Sequence, residues 1–269
     1  IKIKYYFKLN NMTSNNFRNY DNVEYNIKQN YKKNRTFQTI DYVKKMQTKY
    51  LTFDKKINIF DIFKHLEHFV DISDPDITLP NYYHGIQTAE AIRKDGHPEW
   101  LQVVGLIHDM GKIIYLKGND KDGTSINEQW GIVGDTFVVG CKIPESIVFS
   151  EFNHLNEDMN NEKYNTRFGI YNKNCGLNNV LCSWGHDEYL YQILKFNKCN
   201  LPLEALYIIR FHSLYVHHKN NEYEHLLNSQ DIKMKHWLKL FNKYDLYTKT
   251  DDFKITDKIK TYYNDLIKN

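Results

Sequence analysis

Five prolines are spread over 269 residues, and no stretch is enriched in Pro, Gly or Ser. That scarcity argues against a flexible linker between domains and against a low-complexity tail. No internal repeat is visible either, so solenoid and propeller architectures are excluded. Cysteine is sparse: Cys141, Cys175, Cys182 and Cys199 show no CxxC spacing, which removes the zinc-ribbon and disulfide-scaffold classes and leaves reduced thiols as the expectation. No run approaches the roughly 18 consecutive apolar residues that a membrane span needs. Residues 1–11 are punctuated by lysine and do not read as a secretory leader, so a cytoplasmic protein without a membrane partner is expected. Net charge is also small, +3. The densest basic patch, Lys28, Lys32, Lys33 and Arg35, is read as a solvated face, because nucleic-acid binding needs a longer stripe or a recognisable module.

What is present is a chain able to build a core. Apolar residues make up 41% and aromatic residues 15%, and at this length folding buries roughly three quarters of the unfolded surface. Helical periodicity dominates. Helices are expected over 36–48, 58–70, 84–95 (after Pro80), 98–117, 186–197, 202–215, 222–246 and 256–268. Residues 1–34 are polar and read as loosely held, 118–125 as a flexible loop, and 132–149, rich in Val, Ile and Phe, as extended. The fold class is therefore all-α: one domain over 17–269, with a few short extended segments and a flexible segment over 1–16.

Chemistry concentrates at the ends of apolar stripes. Leu101, Val104, Gly105 and His108 follow i, i+3, i+4, i+7 spacing, so His108 closes a core-facing stripe with Asp109 beside it and Lys112 one turn on. Ala205, Ile208, Ile209 and His212 repeat the pattern, and Leu238, Phe241 and Asp245 aim a second carboxylate inward. His186 opens a helix that carries Leu190, Ile193 and Leu194 on its own face, and His84 heads one with Gln87, Thr88 and Ala91. A lone inward histidine is usually a satisfied core residue, and a lone inward aspartate a cap or a structural ion pair. Several in one chain each demand compensation for burial, and a shared cation satisfies them together. Imidazole and carboxylate without thiolate suit Fe, Mn or Co better than structural zinc. Six ligands exceed what one open catalytic ion takes. They fit two ions bridged by a carboxylate, for which Asp109 is the natural candidate.

The His-Asp pair with flanking helical histidines resembles the HD-domain superfamily, and the longer motifs resemble one branch of it. Asp71-Ile72-Ser73-Asp74-Pro75-Asp76, His84-Gly85-Ile86-Gln87-Thr88-Ala89-Glu90, Gly105-Leu106-Ile107-His108-Asp109-Met110-Gly111-Lys112, Val133-Gly134-Asp135-Thr136-Phe137, Ser183-Trp184-Gly185-His186-Asp187-Glu188-Tyr189, Arg210-Phe211-His212-Ser213 and Lys243-Tyr244-Asp245-Leu246-Tyr247-Thr248-Lys249 are similar, in order, to the myo-inositol oxygenase family, as is Phe17-Arg18-Asn19-Tyr20 near the start. That resemblance implies an HD-domain-like helical bundle holding a mixed-valent Fe(II)/Fe(III) pair. The implied reaction opens the ring of myo-inositol with O2 as co-substrate and gives D-glucuronate. It implies His84, His108, Asp109 and Asp245 on one iron, and Asp109, His186, His212 and substrate oxygens on the other. It also implies Arg18, Asp71, Lys112, Asp135, Ser213 and Lys249 as polyol contacts, with Lys112 and Asp109 nearest the chemistry. The partner is a small polyol and not nucleic acid, and the chain is expected to act as a monomer. Two departures from the family pattern stand out: the longer loop over 118–125, and Leu214-Tyr215-Val216-His217-His218 where the family has Pro and Trp before a His.

Two other readings stay open at this level. An HD-type phosphohydrolase acting on a nucleotide would use the same ligands with Mn or Co, and Lys112 and Lys249 would equally bind phosphate. A binding module that retained the fold without activity would be free to lose its ligands.

Overall fold

Short polar caps and prolines decide where the helices begin. The computed structural model describes residues 19–76, 78–250 and 253–268; the segment 1–16 and Arg18 lie outside them. Among the described residues ten α-helices occur and no strand. They are α1 (Tyr25–Phe37), α2 (Ile40–Tyr50), α3 (Ile59–Leu66), α4 (Asn81–Lys94), α5 (Glu99–Ile107), α6 (His186–Phe196), α7 (Leu203–Phe211), the single turn α8 (Tyr215–His218), α9 (Ser229–Tyr247) and α10 (Asp257–Lys268). The Thr39 hydroxyl accepts from the Tyr42 amide at the start of α2, and Asn58 accepts from Phe60 at the start of α3. Pro80, Pro98 and Pro202 each precede a helix, where a missing N–H costs nothing. Asn228 and Asp231 form a reciprocal capping box on α9.

The all-α expectation holds, with four corrections. The polar run before residue 35 contains α1, which buries Ile27, Asn30, Tyr31, Asn34 and Arg35. Arg35 is wholly buried, not part of a solvated face. Its guanidinium lies 4.8 Å from the centre of the Phe137 ring, and Nη2 donates to the Val148 carbonyl at 3.0 Å. Residues 132–149 form turns, and their extended character is limited to one antiparallel bridge, Val138 with Cys182. The continuous helix expected over 98–117 breaks after Ile107 and resumes as a 3-10 segment, Met110–Leu116.

Polar clasps hold the irregular stretch between α5 and α6. Asn34 donates to the Trp130 carbonyl at 3.0 Å, and Gln38 bonds Trp184 through both its carbonyl and its amide nitrogen. Asn156 donates to the carbonyls of Arg35 and Gln38. Helices α4, α5, α7 and α9 pack on one another, and α6 lies against α7 and the 3-10 segment. Close approach depends on glycine at two places. A Cβ on Gly105 would meet the Ala89 backbone nitrogen at 3.0 Å, where α5 crosses α4, and a Cβ on Gly111 would run into the His186 carbonyl. Both crossings bring a histidine-bearing end inward. No helix among the described residues is long and apolar enough to cross a membrane, and all four cysteines are free thiols.

Gly111→Ala is expected to push the 3-10 segment away from α6 and to cost about 1–3 kcal/mol, as overpacking against rigid backbone does. Thermal unfolding of the purified variant checks it, and an unchanged midpoint refutes the close-approach argument.

Candidate metal centre

Each candidate ligand sits where a helix starts or stops, or on a buried stripe. His108 caps the end of α5, and its Nδ1–H donates to the Gly105 carbonyl at 2.9 Å. His212 repeats this at the end of α7, with Nδ1–H on the Ile209 carbonyl at 3.1 Å. His186 opens α6, and its Nδ1–H donates to the Ile132 carbonyl at 2.7 Å. With Nδ1 carrying the proton, the Nε2 lone pair of each is left for a cation. The His108 Nε2 is buried without a hydrogen-bond partner. His84, on α4, turns Nε2 to Asp245 Oδ1 of α9 at 2.9 Å.

Asp109 lies at the centre. Its backbone, φ −92° and ψ 0°, occupies the sparsely populated bridge region common at active sites. This break in the helix lets adjacent His108 and Asp109 enter the same space. Asp109 Oδ2 faces His108 Nε2 at 3.5 Å and His84 Nε2 at 3.9 Å, while Oδ1 faces His186 Nε2 at 3.1 Å and His212 Nε2 at 3.8 Å. Two buried groups of side chains can therefore each hold a metal ion: His84, His108 and Asp109, and Asp109, His186 and His212. Asp245 Oδ1 lies 2.9 Å from His84 Nε2 and 3.3 Å from His108 Nε2, on the side of the first group.

A polar cavity adjoins this cluster. Lys112 Nζ bridges Asp109 Oδ2 at 2.9 Å and Asp71 Oδ2 at 2.7 Å, and Lys249 Nζ pairs with Asp74 at 2.5 Å. Asp71, Lys112, Ser213 and Lys249 all line the cavity beside the histidines, with Tyr31 and Tyr215 in its wall. Asp135 does not: it accepts a hydrogen bond from the Tyr31 hydroxyl at 3.1 Å, and Gly134 is the cavity-lining residue at that turn. Arg18, the remaining candidate contact, lies outside the described residues.

Charge dominates the energetics. Burial pushes the Asp109 carboxyl up, but Lys112, His108, His186 and His212 hold it well below the ordinary carboxylate range. Asp245 is held low against burial by His108 and His84. Burial lowers the His108 ring, whereas His186 is lifted against burial to about 10 by Asp187 and Asp109. The cluster is thus a site of negative potential that draws a proton or a cation.

Several participants escaped the sequence reading. Asp187 abuts His186 and His212, Asn81 donates to Asp109 Oδ2, and Asp74 holds Lys249. His218 braces His212 by donating from Nε2 to its carbonyl at 3.0 Å. Asp187 sits next to His186 in the Gly-His-Asp-Glu motif, but adjacent helical residues diverge by about 100°, and stripe reasoning discards the neighbour. At the first turn of α6 both side chains still reach the same space. Neighbouring His217 is buried neutral, its Nδ1–H donating to the Glu222 carbonyl at 3.1 Å.

Two expectations follow. Lys112→Met leaves Asp109 and Asp71 buried without their ammonium and is expected to cost about 3–5 kcal/mol in metal-free protein, measured by urea unfolding in chelator. Burial pushes His217 from 6.5 down to about 4. Its folded value lies below its unfolded one, so its share of stability is complete above pH 6.5 and declines as pH falls toward about 4. The loss is at most about 3 kcal/mol, and His217→Phe is expected to flatten this decline in denaturation curves compared at pH 4.5 and 7.5.

The family model described as "Myo-inositol oxygenase" matches residues 24–269. Proteins named "Inositol oxygenase" from Dictyostelium discoideum and Danio rerio are 45% and 46% identical over 256 and 258 residues; each alignment spans 93% of this chain, and 86% and 89% of the relative. The Homo sapiens protein of that name is 45% identical over 241 residues, 88% of this chain and 81% of its own length. A match of this extent, joined to the buried His and Asp groups around Asp109, makes the chain a member of the myo-inositol oxygenase family.

Proposed function

We propose that this chain is a di-iron oxygenase that opens the ring of myo-inositol with O2 to give D-glucuronate. The observation that carries the reading is Asp109, a buried carboxylate with one oxygen toward each pair of histidines, in a chain whose relatives bear the oxygenase name. The donor set fits iron: four imidazoles, three of them (His108, His186 and His212) with Nδ1–H fixed on a carbonyl, carboxylates, and no thiolate. His84, His108, Asp109 and Asp245 would hold one ion; Asp109, His186 and His212 would hold the other, with polyol oxygens. A mixed-valent iron pair, when bound, supplies the one-electron reactivity toward O2 that zinc lacks and makes a nearby hydroxyl more acidic.

The side chains do the rest. Lys112 places a buried ammonium at the cavity edge, where it stabilises negative charge developing on a polyol oxygen. Asp71, Ser213 and Lys249 offer the acceptors and donors that orient a ring of hydroxyls, Asp135 acts through the cavity-lining Tyr31, and Arg18 is a further polyol contact. Tyr31 and Tyr215 help to keep bulk water from the reacting face. One chain supplies every group, so a monomer suffices, and free thiols suit a cytoplasmic setting.

The test is His186→Ala. The variant is expected to lose iron and to abolish O2 uptake with myo-inositol, whereas the wild-type chain carries two irons. Undiminished turnover in the variant, or phosphate release from nucleotides by the wild-type chain without O2 uptake, overturns the reading.

A further inference from the structure

The first turn of α4 carries a second polar side chain beside its candidate ligand. Asn81 opens the helix directly after Pro80, and its backbone N–H donates to the Phe69 carbonyl, outside α4, at 2.8 Å. That bond and the fixed φ of the proline leave the residue little freedom. His84 follows three residues on, so the two share one face of the helix. Asn81 is 5% exposed and lines the cavity beside the histidines. Its Nδ2 donates to Asp109 Oδ2. An ionised carboxylate only accepts, which fixes the orientation of the amide. Oδ1, on the other arm of that amide, is turned away from Asp109 and is buried with no hydrogen-bond partner. Among the described residues it is the only such oxygen on a side chain that lines this cavity.

From this orphaned oxygen and its place at the cavity we infer that Asn81 is a further polyol-binding residue, whose Oδ1 accepts a hydrogen bond from one ring hydroxyl. A buried acceptor without a donor is costly, so a ligand that brings one gains at this point. The neighbouring donors are already spent: Lys112 on Asp71 and Asp109, Lys249 on Asp74, and the Ser213 hydroxyl on Asp187. A hydroxyl meets the need. A fully ionised phosphate or carboxylate brings acceptors only and leaves Oδ1 as it was. The contact also completes a chain, from hydroxyl to Oδ1 and from Nδ2–H to Asp109 Oδ2. Each bond in such a chain polarises the next, so a polyol in the cavity tightens the hold of Asn81 on the central carboxylate.

This role rests on the function proposed above, and the experiment separates the two. Full-length chain loaded with Co(II) is titrated calorimetrically, without O2, with myo-inositol and with each of its monodeoxy analogues. Wild type is compared with Asn81→Leu, similar in shape but apolar, and with Asn81→Ser, which keeps a donor for Asp109 but no carbonyl. Both variants are expected to keep two Co(II) ions and to bind myo-inositol about tenfold more weakly. One monodeoxy analogue is expected to bind wild type more weakly by about the same factor. It alone should bind wild type and variants equally, because its missing hydroxyl is the one that Asn81 accepts from. The Ser variant decides where the Leu variant does not fold. Wild type that holds Co(II) but binds no polyol refutes the proposed function itself. Unaltered affinity of the variants for myo-inositol, loss of either ion by both variants, or an equal weakening of every analogue overturns the role of Asn81 alone.

Discussion

A carboxylate shut away from water is costly unless positive charge and hydrogen bonds surround it. Asp109 is such a group, and the centre of the molecule is arranged around satisfying it. Asn81 and Lys112 take Oδ2, and four imidazoles stand about the two oxygens. Asp187 and Asp245 add two more buried carboxylates within a few ångströms. One ammonium, Lys112, meets Asp109, and it is shared with Asp71. Neutral imidazoles cannot balance the remainder. Without a metal the deficit falls on protons, which is why His186 is held protonated to high pH despite complete burial. A pair of cations meets the same demand without distorting the imidazoles, whose lone pairs already converge.

The convergence has a local cause, used twice. An α-helix leaves its last carbonyls without intrahelical donors. His108 and His212 each follow an i, i+3, i+4, i+7 apolar stripe to the last turn and then fold the ring back, so that Nδ1–H takes the carbonyl three residues earlier. One hydrogen bond caps the helix, fixes the tautomer and points Nε2 into the core. Period and position alone determine this outcome, so these histidines were legible in the sequence, as was the inward Asp245 of α9. The helix starts after Pro80, Pro98 and Pro202 were legible for an equally local reason, the missing N–H of proline.

What stayed hidden is held by contacts without a period. α1 buries asparagines and an arginine where a core-facing helix is expected to bury aliphatics, so it reads as a polar tail. Residues 132–149 have a strand's composition, yet their backbone groups go to side chains and turns: Phe137 and Val138 amides donate to Ser183 and Tyr223 hydroxyls, and Gln38 clasps Trp184. Such clasps join residues as far as 146 positions apart, and nothing in a local window encodes them. Asp187 was hidden by the opposite error, since a periodic reading looks three and four residues away and not at the next one.

The cavity wall shows how the fold tolerates so many charges before any ligand arrives. Lys112 and Lys249 are paired by Asp71 and Asp74, which lie three residues apart in one loop. Each pair is nearly dry, so neither lysine can be stripped of its partner without replacement. An apolar ligand entering the cavity offers no such replacement and is rejected on desolvation alone. A ligand dense in hydroxyls can donate to each aspartate and accept from each lysine, exchanging one full set of hydrogen bonds for another at little cost. The preference for a polyol over a hydrocarbon of the same shape is thus already present in the pairing of the loop over residues 71–76 with the two lysines.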